Sequence, residues 1–410
     1  MKKIFTILTF LTATSIFATD RFVDPNLSSG NGTTLFTSIT SAVNAAVNGD
    51  RIIIASTTYN EPALTISKSL QIMPQTPGTT INFNANITIS GFAGMKLEII
   101  GINLGIYSFS SNSITSGSYT NRAKISIIEC TSTNININNE YYESNIIKNI
   151  VSNEITFKFG NIVSNTCSSI KLTDESLSSQ NINEKNFMVA NTVTNILVYN
   201  DDFKVVVANN SLSGLLFKRW NADSQIKNYI INNNFSNNSN LLVSYINVPY
   251  YNIVVSSNLF LGTNVSSFGF QCNSNCYVGC YSSESTSNQC NFGGQYPSQF
   301  PTPSVPGFFE WSYNGIDINC TIPSAGNPLV LTKIVGPTDA INGGNPNHNY
   351  YDIDLSINDR GINGGPYSNF NYNPGSNTNN SKAFIFDLDM PTDLFPGQSV
   401  DIKAKGYHKN

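Results

Sequence analysis

Charge is what this chain most lacks. Lys, Arg, Asp and Glu make up 12% of its 410 residues and leave a net charge of −4. No stretch is basic enough to neutralise a row of phosphates or to hold an anionic bilayer, so nucleic acid and charged membrane surfaces are excluded as partners. Histidine is scarce too: His348 and His408 are the whole supply. Beyond residue 18 no run is apolar enough to cross about 30 Å of hydrocarbon, so no transmembrane segment is expected. The usual helix formers give way to Asn, Ser, Thr and Ile. That bias disfavours helix and, with so much Ile and Val, disfavours disorder as well. It suits strands whose outward positions are neutral and polar.

The N-terminus has the layout of a secretory signal. Lys2 and Lys3 precede a mostly apolar Ile4–Phe17 and the small residue Ala18, which sets the signal peptide at 1–18. The mature chain is therefore expected outside the cell, free or displayed on its surface. Phe36, Ile39, Val43 and Val47 then recur on one helical stripe, with Thr37 or Ser38 as N-cap and Gly49 as the stop. Three short β-like runs follow at Arg51–Ala55, Ala63–Ile66 and Ser69–Met73. A helix leading into three brief strands reads as a lid over the first coil of a β-solenoid.

The repeated body extends from Thr79 to about Phe270. Its unit is a β-branched run ending in a small residue and an asparagine: Ile162-Val163-Ser164-Asn165, Met188-Val189-Ala190-Asn191, Val206-Val207-Ala208-Asn209. Counted as Asn153, Asn165, Asn191, Asn209, Asn233 and Asn258, the asparagines fall 12, 26, 18, 24 and 25 residues apart. Stacked coils would set their strands about 4.8 Å apart, and Asn at one corner could then form a side-chain ladder. About ten coils fit, a rod of about 50 Å at that spacing.

The order FxSIxxAVxxAxxGDxIIIxxxxYxExxLxIxKSLxI over Phe36–Ile72 resembles the cap and first coil of secreted right-handed parallel β-helix proteins of bacteria, the pectin-lyase-like superfamily. The implied fold is all-β: a single right-handed parallel β-helix with a short N-terminal capping helix and a small C-terminal β appendage. The chain divides into the signal at 1–18, the cap at 19–50, the β-helix at 51–367 and the appendage at 368–410. Residues 339–367, DAINGGNPNHNYYDIDLSINDRGINGGPY, look like the closing turn of such proteins, departing from it at Asn342 and at Ile362-Asn363. The tail Ala383–Lys405 alternates apolar and polar residues around Pro396-Gly397 and reads as a β-hairpin.

Cys272, Cys276, Cys280 and Cys290 form a C-x3-C-x3-C-x9-C cluster within a loop region of 272–320, and Cys320 follows. In an exported chain these five are disulfide candidates, with a four-thiolate metal site as the alternative. Cys130 and Cys167 lie in apolar strand patterns and read as buried thiols. In the closing stretch Asp352, Asp354 and Ser356 alternate, and Asp359 follows. Hard oxygens at that spacing can hold calcium as a cofactor; the simpler reading is carboxylates capping turns.

One constellation can carry chemistry. Counted from the repeated asparagine, Asp174 and Glu175, then Asp201 and Asp202, then Lys218, Arg219 and Trp220 fall at similar offsets. In register they would stack as an acid–acid–base column with an aromatic platform. The resemblance implies a lyase use for such a column: calcium held by the carboxylates and Lys218 or Arg219 abstracting a proton from an acidic polysaccharide. Against that stands a row of solvated turn residues. Three functions follow: a non-catalytic monomer binding polysaccharide, cell-surface glycan or a partner along one face, with Trp220 in contact; a polysaccharide lyase; or a structural envelope component.

Overall fold

The computed structural model describes residues 18–114, 119–173, 185–199, 204–219, 228–245, 252–260, 267–272, 276–278, 280–281, 291–292, 308–312, 315–316, 342–352, 356–368, 384–389 and 403–407. At 218–219, 237–245, 252–255 and 349, and in the segments within 259–316 and 384–407, it describes backbone only. Among these residues the strands form a 13-stranded sheet, a 16-stranded sheet and two small two-stranded sheets. Pairing between coils is parallel throughout both large sheets, apart from the Ser267–Cys272 hairpin with Cys276–Val278. The chain is an all-β parallel β-helix with one capping helix. The tail adds an antiparallel pair, Phe384–Asp389 with Lys403–Tyr407, as its alternation predicts.

A single coil shows how the sequence builds the rod. Lys185–Val189 lies in the 13-stranded sheet, Ala190 turns the corner with φ 57°, Asn191 follows, and Thr192–Tyr199 lies in the 16-stranded sheet. Inward side chains stack coil upon coil: Ile99, Ile127, Ile146, Ile162, Met188, Val207 and Ile230 on one wall. Ile135, Ile155, Ile170, Ile196 and Leu215 form a column on the other. All are buried, and β-branched residues suit this pleated, fully enclosed wall.

The corner is held by amides. The backbone N–H and the Nδ2 of Asn165 both donate to Asn191 Oδ1, at 2.9 and 3.0 Å, while Nδ2 also donates to the Ile146 carbonyl. The same arrangement links Asn149, Asn165, Asn191, Asn210, Asn233 and Asn258 over separations of 16, 26, 19, 23 and 25 residues. Two positions expected in this ladder are therefore corrected. Asn153 lies on the exterior, donating to Asn134 Oδ1, and its place belongs to Asn149. Asn209 is the corner residue with φ 55°, and Asn210 beside it is the rung. In adjacent asparagines an offset of one residue is invisible to spacing alone. The ladder ends N-terminally at Cys130, whose N–H donates to Asn149 Oδ1 and whose sulfur accepts the Ile102 N–H. Burial pushes the Cys130 thiol up to about 12, and the Cys167 thiol likewise; both are buried and free, as expected.

The lid is bolted on by charge. The helix is Ile39–Ala45, shorter than its apolar stripe suggests: Ser38 is the N-cap, Ala46 is already extended, and Val47 lies outside at 47% exposure. The Glu61 carboxylate accepts the N–H groups of Ile39 and Thr40 (2.7 and 2.8 Å), and Lys68 Nζ donates to the Val43 and Asn44 carbonyls. An anion at the amino end and a cation at the carboxyl end both favour the helix dipole. Lys68 thus takes the role expected of Gly49. Beneath the helix the fully buried Asp50 accepts from Thr19 N–H, Val47 N–H and Arg21 Nε. Burial pushes its pKa upward, but the two backbone donors and the Arg21 guanidinium outweigh burial and leave it below the usual carboxylate value.

Candidate functional site

The two sheets present opposite outer surfaces. Outside the 13-stranded sheet, Ile128, Ile147, Val163, Val189, Ala208 and Ile231 form one column, with Phe187 and Val206 beside it. These residues are apolar and buried although they point away from the core. Tyr350 and Tyr367 of the closing stretch pack on them, with the Tyr367 ring 6.0 Å from that of Phe187.

The closing stretch is fastened to the corner column. Asn209 Nδ2 donates to the Ile362 and Gly364 carbonyls, and Asn232 Nδ2 to Asn358 Oδ1 and the Asp359 carbonyl. Ser257 Oγ accepts from Asn345 N–H and Asn358 Nδ2. The doubled asparagines thus divide the work: Asn210 and Asn233 are rungs, while Asn209 and Asn232 are clasps. Gly364 must be glycine, since a Cβ would lie 1.9 Å from the Asp359 carbonyl oxygen. In this stretch Asp352 accepts N–H groups from Asp359 and Gly365, Ser356 Oγ donates to Asp352, and Asp359 accepts the Asn342 N–H. The Asp352 and Asp359 carboxylates thus accept backbone N–H groups within the stretch; Asp354 lies outside the described residues.

Outside the 16-stranded sheet the surface is open. In the first coils the sheet has two arms, and from Thr131–Ile137 to Asn234–Tyr245 a single bent strand spans both, with a register shift at Ser132/Asn134. Along the first arm one outward column runs Thr58, Asn82, Asn103, Thr131, Ile150, Thr166, Thr192, Ser211 and Asn234. Two residues further along each strand, at the bend, come Asn60, Asn84, Gly105, Thr133, Ser152, Ser168, Thr194, Ser213 and Ser236. All are half-buried or exposed, and none is charged. Their polar groups pair along the axis: Asn84 Nδ2 donates to Asn60 Oδ1, Asn103 Nδ2 to Asn82 Oδ1, and the hydroxyls of Ser213 and Ser236 lie 2.8 Å apart.

The second arm changes character along the rod. Asn136, Thr156, Lys171, Leu197 and Leu216 occupy one outward column, and Thr173, Tyr199 and Lys218 the next. Leu197, Leu216 and Tyr199 are half-buried, and Lys171 Nζ lies 6.0 Å from the centre of the Tyr199 ring. A small apolar and aromatic platform with one cation therefore sits on an otherwise hydroxyl-lined surface.

The predicted acid–acid–base column begins where this platform ends. Thr173, Tyr199 and Lys218 are aligned, so Lys218 is level with the residue before Asp174. Measured from the true rungs, Lys218 and Arg219 sit one position earlier than counting from Asn209 suggests. Asp174, Glu175, Asp201, Asp202 and Trp220 lie outside the described residues, and Lys218 and Arg219 are described in backbone only. Of the disulfide candidates, Cys272 is opposite Cys276 in the antiparallel register and Cys280 is opposite Phe292; Cys290 and Cys320 lie outside the described residues. Sequence reasoning missed the Leu197–Tyr199–Leu216 platform. Its signal was an apolar residue at an outward position, as in Ile196-Leu197-Val198. No helix among the described residues is long and apolar enough to cross a membrane. Comparison of the chain with protein-family models, with curated proteins and with solved structures found no match.

Proposed function

We propose that the chain is an exported or surface-displayed β-helix protein that binds glycan or a protein partner along the open face of its 16-stranded sheet, without catalysis. The observation that carries this reading is the inequality of the two faces. One carries a buried apolar column beside the corner, against which Tyr350 and Tyr367 of the closing stretch pack; the other is polar, continuous over the coils and carries an apolar platform at Leu197, Tyr199 and Leu216. Rings beside hydroxyl and amide groups suit a ligand with apolar and hydroxylated sides. The leader-like N-terminus and the pectin-lyase-like cap support export.

A lyase is the second reading, favoured by the common register of the three strand ends that precede the acidic and basic residues. Both are tested by incubating the purified mature protein with polysaccharides, with and without calcium, and following both retention and the absorbance of unsaturated uronate. Retention without product, weakened in Tyr199→Ala, is the expected outcome. Product that disappears in Asp201→Ala and Arg219→Ala would establish the lyase instead. Neither retention nor product would leave a structural role.

A further inference from the structure

Resting on the binding reading above, we infer that the ligand is a neutral, hydroxyl-rich polysaccharide laid along the solenoid axis, and that the double column on the first arm is its track. From Thr58 to Asn234 this track crosses successive coils without one charged side chain; its members are Thr, Ser and Asn, interrupted by Ile150 and Gly105. Strands stack about 4.8 Å apart, so the track repeats its donors and acceptors at a fixed interval along the rod. Hydroxyls and carboxamides both donate and accept, which matches the dual character of sugar hydroxyls. An acidic chain would meet no counter-charge there, and desolvating its carboxylates against neutral dipoles is unfavourable. The matching of an uncharged surface to an uncharged polymer is therefore the selective element.

Several track groups are already oriented by their neighbours. Asn103 and Asn84 each donate one amide hydrogen to the previous coil, and Ser168 Oγ donates to the Ser152 carbonyl. The remaining amide hydrogens and lone pairs are thereby aimed outward at little entropic cost. Weak contacts repeated coil after coil add by avidity, so affinity grows with polymer length.

The test is affinity electrophoresis of the mature protein in gels containing neutral β-glucan or mannan, or acidic polygalacturonate or alginate. Retardation by a neutral polymer is expected to persist in about 1 M salt, where charge attraction is screened within about 3 Å. The isosteric pair Thr166→Val with Thr192→Val removes two hydroxyls while keeping strand formers, and should weaken binding about tenfold. Retardation only by acidic polymers, abolished by salt, overturns the neutral assignment and leaves the binding reading intact. Retardation by a neutral polymer that is unchanged in the valine pair overturns the track. Retardation by none of the four sinks both this inference and the reading beneath it.

Discussion

The outer faces of the two sheets are made by different strands of the same coils, and beside the corner one is treated as core while the other is treated as surface. Where strands of the 13-stranded sheet reach the corner, an inward residue is followed by an outward apolar one, as in Ile127-Ile128 and Ile162-Val163. On the first arm of the other sheet the alternation is strict, as in Thr192-Val193-Thr194. Parallel strands buried on both sides read as continuous apolar runs, and those facing water on one side alternate. A doubled apolar run therefore demands a cover, and here the cover comes from the closing stretch more than a hundred residues downstream in sequence.

The sharpest way to break this comparison is to place the same charge on each face. Val163→Asp buries a carboxylate under the closing stretch and should cost more than about 4 kcal/mol, whereas Thr192→Asp on the open face should stay within about 0.5 kcal/mol. Urea midpoints of the two variants compare them directly. The corner shared by both faces is next. Asn191→Ala removes a rung that accepts from Asn165 and donates to the Ile162 carbonyl and Asn210. With buried donors left unmade, about 3–4 kcal/mol should be lost, read as amide exchange in the adjacent coils.

Unsealing alone should be milder. Asn232→Gly keeps the positive-φ corner but removes the clasp to Asn358 and Asp359. A loss of about 2 kcal/mol is expected, with 342–368 becoming sensitive to protease while the open face still binds. Asn232→Ala should lose about 1 kcal/mol more, because alanine resists that corner.

Acid should act on the lid and favour neither face. The folded pKa of Asp50 is depressed, so its ionised form contributes stability that is present above the unfolded carboxylate pKa and disappears as pH falls through the folded value. Exchange protection of the helix Ile39–Ala45 should therefore drop on acidification below about pH 4, and Asp50→Asn should reduce that drop. The smallest effect is expected at Cys130→Asn. The Ile102 N–H and Ile99 carbonyl already flank the sulfur, so an added rung should raise the unfolding free energy by about 1 kcal/mol or less.

Much of this architecture is legible in sequence because periodicity reports burial. The lid, its Ser38 cap, the strands at Arg51–Ile54 and Leu64–Ile66 and the ladder's existence all follow from local pattern. What escapes is whatever depends on distant partners. That Asn210 and not Asn209 is the rung shows in its bonds to Asn191 and Asn233 of neighbouring coils, and Lys68, more than twenty residues on, supplies the donor to the last helical carbonyls. That Asp352 accepts the N–H of Gly365, thirteen residues on, is likewise invisible to local spacing. The Leu197 platform is masked because an outward leucine between two inward residues looks like uniform core.

The ladder also has a direction. Each rung's N–H and amide hydrogen are received by the oxygen of the rung that comes later in the chain, from Cys130 through to Asn258. A partly assembled stack thus ends in donors awaiting the next coil, and never in a finished surface. Each added coil thus satisfies the donors of the coil before it, with the lid over the first coil and the closing stretch fastened along the side.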